Sequence, residues 1–210
     1  MNGVRQVAFL VFEHVEELDL AGPWQVLTTA GLLSEALSCY TVAEQSTPLH
    51  CAKGLVIVPD HDFTSTPKPD ILVVPGGRGV DAQLANGKVL SWIAASARDG
   101  EWVTSVCSGA LLLLEAGPAR GRRITTHWNR IEQARKRGQA AEVIENVRYV
   151  QDGNLVTSAG VSAGIDMALW LTGQLFGPEF ARRVQHRMEY DPSPPYADKN
   201  DPVSGNEHDR

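Results

Sequence analysis

One cysteine stands in the setting of a nucleophile. A β-rich run from Trp102 to Val106 reaches Cys107, passes through the small residues Ser108, Gly109 and Ala110, and enters four consecutive leucines. That order predicts a buried strand, an abrupt turn carrying one reactive side chain, and a helix that starts directly after it. A thiol at the amino end of a helix faces unpaired backbone N–H groups and the positive end of the helix dipole, and both favour thiolate over thiol. Small neighbours keep such a turn uncrowded, and the Ser108 N–H is left free to face developing negative charge. The pattern matches the G-x-S-x-G elbow only loosely. The competing reading of Cys107 is an inert core cysteine, a common fate for this residue type.

Other chemistry-bearing residues fall in two places. The segment Glu13 to Leu20 carries Glu16, Glu17 and Asp19 directly after an apolar run, Val7 to Phe12. If that run is a strand of a doubly wound sheet, these acids lie on the same edge as Cys107, because the carboxyl ends of the strands line the binding crevice. Glu16 and Glu17 read as solvated, and the competing reading of Asp19 is a surface loop acid capping the helix at Gly22. Pro75-Gly76-Gly77-Arg78-Gly79 lacks the G-x-G-x-x-G spacing of a dinucleotide site. It predicts a turn in which Gly76 and Gly77 let the backbone approach a ligand closely. His14, His50, His61, His186 and His208 show no ligand spacing, so no metal site is expected.

The elements that must position these groups alternate between strand and helix. Val7–Phe12 and Ile71–Val74 are apolar on both faces, as central parallel strands are. Leu37–Ala43 reads as a strand, Leu55–Val58 as one arm of a small hairpin, and Ile124–Thr126 as a short strand ending at His127-Trp128. Asp152-Gly153-Asn154 between Val147–Gln151 and Leu155–Ser158 is a hairpin signal. Helices are expected from Gly22-Pro23 to about Ala30, with Pro23 in the first turn, over Lys88–Arg98, Glu132–Lys136 and Ser162–Phe176, and from Pro178 to about Met188. Trp24, Trp128 and Trp170 read as core residues or as the lining of an apolar pocket. The pattern is that of an α/β sandwich.

A length of 210 residues suits one domain, expected over residues 1–190, with a Pro- and Asp-rich tail over 191–210 that is partly mobile. With that tail no helix-turn-helix module is expected. A formal net charge of -6 argues against a nucleic-acid partner, which needs a basic face. No apolar run approaches the ~20 residues of a membrane span, and Val7–Phe12 is too short for a signal peptide. Three cysteines, Cys39, Cys51 and Cys107, are too few and too odd for a secreted disulfide framework, which points to the cytoplasm.

Five blocks together carry a resemblance: Leu18-Asp19-Leu20-Ala21-Gly22-Pro23, Val74-Pro75-Gly76-Gly77, Val106-Cys107-Ser108-Gly109-Ala110, Thr125-Thr126-His127-Trp128 and Thr157-Ser158-Ala159-Gly160. In this order they resemble the ThiJ/PfpI superfamily over roughly Val7 to Pro195. Asp19 and the ending Glu189-Tyr190-Asp191-Pro192-Ser193-Pro194-Pro195 most resemble its isonitrile hydratase branch. The resemblance implies a flavodoxin-like three-layer α/β/α sandwich with a mostly parallel sheet, a cysteine nucleophile elbow and a homodimer acting on a small molecule without a cofactor. It makes Cys107 the nucleophile, Asp19 an acid hydrogen-bonded to it, and Gly77 and Ser108 the sources of oxyanion N–H groups. His127 matches a position near the cysteine in many relatives, where a thiol–imidazole pair could form. Isonitrile hydratases commonly have threonine where this chain has Ser108. The implied reaction is hydration of an isonitrile to an N-substituted formamide. The alternatives are a glyoxalase or deglycase-type hydration of reactive carbonyls, whose relatives usually carry glutamate at the position of Asp19, and a cysteine redox sensor or ligand-binding domain.

Overall fold

In a computed structural model, which describes residues 3–193, the chain forms a mostly parallel sheet between two layers of helices. Strand β1 (Arg5–Leu10) runs through the middle and leads into helix α1 (Glu17–Ser34), and β2 (Leu37–Ala43) returns beside β1. A small antiparallel hairpin, β3 (Leu49–His50) and β4 (Val56–Ile57), precedes β5 (His61–Asp62). Then follow β6 (Ile71–Val74), α2 (Val80–Gln83), α3 (Gly87–Arg98), β7 (Trp102–Ser105) and α4 (Gly109–Ala116). The short pair β8 (Arg123–Ile124) and β9 (Glu142–Val143) brackets α5 (Ile131–Arg137), and β10 (Tyr149–Asp152) and β11 (Leu155–Ser158) form a hairpin before α6 (Ala163–Phe176) and α7 (Pro178–Arg187). The main sheet runs β10-β11-β7-β6-β1-β2-β5, and every neighbouring pair is parallel except β10–β11.

Two apolar cores lie on opposite faces of this sheet, and the pleat of the strands decides which residue enters which. Val7 and Phe9 of β1 join Val26 and Leu27 of α1, Leu171 of α6 and Val184 of α7. Ala8 and Leu10 point the other way, into Ile93 of α3 and Leu111 to Leu114 of α4. A strand apolar at every position is what a sheet covered on both faces requires.

Strand order reverses between β1 and β6. The chain leaves β1 toward β2 and β5, then crosses back to β6 and β7 on the other side. The loops after β1 and β6 therefore separate at this point and leave a crevice at the carboxyl ends of the strands. They are stitched across it, with the Glu16 N–H donating to the Gly76 carbonyl at 3.0 Å and the Gly79 N–H to that of His14 at 3.1 Å.

Several expected boundaries move. Helix α1 begins at Glu17, so Asp19 lies in its first turn rather than in a loop, and Pro23 falls inside the helix. Gly22 and Pro23 serve a contact rather than a start. A Cβ on Gly22 would meet Ile165 Cγ1 at 2.9 Å, and one on Gly164 would meet Pro23 Cγ at 3.1 Å, so α1 and α6 cross closely there. The expected strand Ile124–Thr126 narrows to Arg123–Ile124, because Thr125 and Thr126 turn their hydrogen bonds toward Thr157 and Cys107. Strand β5 escaped the pattern at two residues long. Trp128 is not core but 79% exposed. The expected tail lies outside the described residues beyond Ser193.

Gly109 sets how closely α4 can approach β6. A Cβ there would overlap the Val74 carbonyl oxygen and come within 2.8 Å of that of Pro75, both fixed backbone atoms. Gly109→Ala is expected to destabilise by about 3 kcal/mol, the upper end for overpacking. Thermal unfolding should show this as a fall in Tm of roughly 6–12 °C. Gly87→Ala, where the added carbon meets open space, is the matched control and should leave Tm nearly unchanged.

Candidate active site

Cys107 sits at the tip of the turn between β7 and α4 in the left-handed region, with φ at 57°. For a non-glycine residue this conformation costs roughly 1–2 kcal/mol and persists only when the surroundings over-determine it. They do so here. The Val106 N–H donates to Val74 O at 3.0 Å, and the Cys107 N–H reaches Ser158 O and Ala159 O at 3.2 and 3.1 Å. The Cys107 carbonyl accepts from Thr126 Oγ1 at 2.7 Å. Strand ends β6 and β11 and the Thr126 segment thus hold one residue from three sides.

Asp19 comes to the same place from the first turn of α1, with no exposed surface. Its Oδ2 accepts from the Gly76 N–H at 3.0 Å, while Oδ1 is buried with no fully formed hydrogen bond among the described residues. Burial pushes the carboxyl up to about 7, against the smaller downward pull of the Gly76 N–H and the neighbouring Cys107 side chain. The thiol is close enough to couple to the acid, yet Oδ1 retains capacity for another partner.

The expectation that helix placement ionises Cys107 is corrected by its surroundings. Burial and then the Asp19 charge push the thiol up to about 12, against the Ser108 and Val161 N–H groups that favour the thiolate. Desolvation disfavours charge on either member and their mutual repulsion disfavours charge on both. At neutral pH the sulfur therefore keeps its proton while the carboxyl titrates, and the titration belongs to the pair.

The expected anion donors are only partly available. The Gly77 N–H donates to Ser108 Oγ at 3.1 Å, so the serine hydroxyl covers it. Gly76 uses its N–H to hold Asp19. The Ser108 N–H faces the sulfur, joined by that of Val161, which sequence reasoning missed. Val161 has φ of 43°, an unusual conformation for a β-branched residue, and nothing in the local sequence signals it.

His127 lines the cavity that opens on Cys107, but its Nδ1 lies 2.6 Å from Asn129 Oδ1 and no imidazole–thiol hydrogen bond is formed. Its ring packs over Gly160, where a Cβ would collide with it. Glu16 is not simply solvated, since it lines the same cavity and pairs with Lys53. Glu17 turns away to accept the Lys53 N–H at 2.7 Å, which ties the β3–β4 hairpin to α1. The cavity at the sulfur measures about 200 Å³. A larger one of about 560 Å³, lined by Tyr149, Trp170 and Tyr190, does not reach the cysteine. Among the described residues no helix is long and apolar enough to cross a membrane, and no group of three or more His, Cys, Asp or Glu could hold a metal ion.

The buried acid makes stability depend on pH with a definite sign. Unfolded, Asp19 releases its proton near 3.8, and folded it does so at about 7. Between these values the native state holds a proton that the unfolded state has lost, so stability falls as pH rises through the window. The full effect above it is on the order of 4 kcal/mol. Denaturant unfolding of Asp19→Asn should lose this fall, and the variant should gain on the parent protein between pH 4 and pH 8. Parallel pH profiles for the two proteins would contradict a raised carboxyl.

Comparison with known proteins agrees with this geometry. Residues 5–174 match the model of the DJ-1/PfpI family. The chain is 38% identical over 191 residues to an isonitrile hydratase of Pseudomonas putida, covering 91% of this chain and 81% of that protein. It is 28% identical over 170 residues to a glutathione-independent glyoxalase of Caenorhabditis elegans, covering 80% and 86% of the two chains. The crystal structure of a ThiJ/PfpI family protein from Pseudomonas syringae superposes with a TM-score of 0.85 at 33% identity, covering 92% of this chain and 78% of the other. With its cysteine elbow, its buried acid and its reversed strand order, the chain belongs to the DJ-1/PfpI family.

Proposed function

We propose that this protein hydrates isonitriles to N-substituted formamides, with Cys107 as nucleophile and Asp19 as the group that moves protons. The observation that carries the reading is the buried carboxyl, raised to about 7 and with one oxygen unpartnered, beside the thiol. The 38% identity to an isonitrile hydratase supports the choice of substrate. An isonitrile has no leaving group. Its terminal carbon must gain a nucleophile and a proton together, and a thiol beside a carboxyl that titrates near neutrality supplies both.

The proton passes from sulfur to Asp19, and the thiolate, held by the Ser108 and Val161 N–H groups, attacks the terminal carbon while Asp19 protonates it. The product is a thioimidate on Cys107, and Asp19 is left as carboxylate. Asp19 then takes a proton from water as the hydroxide adds to the carbon, and passes it to nitrogen. In the last step Asp19 removes the hydroxyl proton, the C–S bond breaks, and formamide leaves with thiolate and acid restored. The Gly77 N–H reaches the developing oxyanion once Ser108 Oγ rotates away, and one such donor is typically worth about 3 kcal/mol. Neither a metal nor an organic cofactor is needed for these steps. Exposed Leu18, Leu55, Val56 and Val58, on α1 and the adjoining hairpin, support a homodimer formed through that face. The three free cysteines support a cytoplasmic protein.

Formamide production from alkyl and aryl isonitriles tests the reaction. Cys107→Ala is expected to fall to background, and Asp19→Asn to lose roughly 10²–10⁴-fold in kcat, the range for a general acid–base group. Unchanged turnover by Cys107→Ala would rule the mechanism out. Conversion of methylglyoxal but not of isonitriles would move the assignment to reactive carbonyls. If neither is consumed while mild peroxide adds two oxygens to Cys107 by mass spectrometry, the site is a redox sensor.

A further inference from the structure

A second cleft of about 440 Å³ adjoins the cavity at the sulfur, and His127 and Val161 line both. Thr126, on its floor, is the residue that holds the Cys107 carbonyl. The two spaces differ in chemistry. Around the sulfur the walls include Glu16, Arg78, Asn129 and Arg130, whereas Trp128, Ile131 and Val147 give the second cleft an apolar wall. Its charged rim is already neutralised, with Glu145 3.4 Å from Arg135 and Arg148 2.6 Å from Asp166. An ionic occupant would find no unpaired partner there, and a neutral one faces no penalty from stranding a charge.

Trp128 supplies a separate observation. It is the most exposed aromatic side chain among the large exposed hydrophobics, at 79%, and it stands beside the His127 ring with centroids 5.4 Å apart and planes 36° from parallel. Two rings set side by side at the edge of an apolar cleft present a surface on which a third flat group can stack.

We infer that this cleft receives the substituent on the isonitrile nitrogen, and that Trp128 makes the protein selective for flat aryl groups over small alkyl ones. The inference rests on the isonitrile reading above and deepens it. An isonitrile is linear from its terminal carbon through nitrogen to the substituent. With the carbon at the Cys107 sulfur, the substituent must project straight out of the small polar chamber. His127 and Val161 line both spaces, so the cleft adjoins the chamber on that side.

The test compares kcat/KM for phenyl isonitrile and methyl isonitrile in the parent protein, Trp128→Ala, Trp128→Phe and Val147→Phe. The phenyl-to-methyl preference should fall roughly tenfold in Trp128→Ala, mainly through KM, with Trp128→Phe retaining most of it. Val147→Phe, which fills the cleft, should lower the preference in the same direction. An unchanged preference in Trp128→Ala and Val147→Phe overturns the inference while leaving isonitrile hydration intact. Equal losses on both substrates, accompanied by a changed oligomeric state, also overturn it, because Trp128 would then belong to a subunit contact. If the parent protein hydrates no isonitrile, binding of phenyl isonitrile and N-phenylformamide to Cys107→Ala, with and without Trp128→Ala, decides the matter. Tighter binding of the phenyl compounds that depends on Trp128 supports an aryl cleft, and equal binding refutes it.

Discussion

The site depends on desolvation. Asp19 is fully enclosed and Cys107 nearly so, and water is the only solvent that would let both be charged. Once water is removed, the sulfur and the carboxyl compete for a single proton, and each backbone N–H aimed at the pair shifts the balance. Gly76 favours the carboxylate, while Ser108 and Val161 favour the thiolate. Burial outweighs these donors at the sulfur, so the thiol keeps its proton and the carboxyl is the group that titrates near neutrality.

The fold provides this enclosure by crowding backbones together. The carboxyl ends of β1, β6, β7 and β11 converge, and their loops touch through backbone atoms rather than long side chains. Gly76 is packed so closely that a Cβ would lie 2.6 Å from Ser108 N, and Gly109 lies against the Val74 carbonyl. Helix α6 crosses α1 closely at Gly22 and Gly164, where an added Cβ would meet Ile165 and Pro23. The strain at Cys107 and Val161 is held by that convergence, because the hydrogen bonds at the elbow come from three separate segments.

The covalent and apolar spaces lie side by side and are built differently. The chamber at the sulfur is formed by loops after parallel strands and carries polar walls. The neighbouring cleft is formed where the Trp128 turn meets the connection before β10, a region outside the central sheet pairing. On the proposed reading the reaction is tied to the strand ends, while Trp128, Ile131 and Val147 of the cleft make none of the hydrogen bonds that hold the elbow.

Much of the fold was legible because it is written in local patterns. Strands apolar on both faces, the hairpin at Asp152-Gly153-Asn154 and the leucines after Cys107 each follow from side-chain period and turn chemistry, and the observed β2, β6 and β11 coincide with the expected runs. The start of α1 was not, because Pro23 is a start signal only when no neighbouring helix needs it as a packing surface. Among the site residues, the sequence by itself determined that one cysteine would follow a strand and precede a helix, with acids and a glycine turn on the same edge. Tertiary structure alone decided their state. The protonation of the Asp19–Cys107 pair, the covering of the Gly77 N–H by Ser108, the turning of His127 toward Asn129 and the arrival of the Val161 N–H all arise from contacts between segments far apart in the chain. Burial and hydrogen-bond direction are properties of such contacts, and no local pattern of residues encodes them.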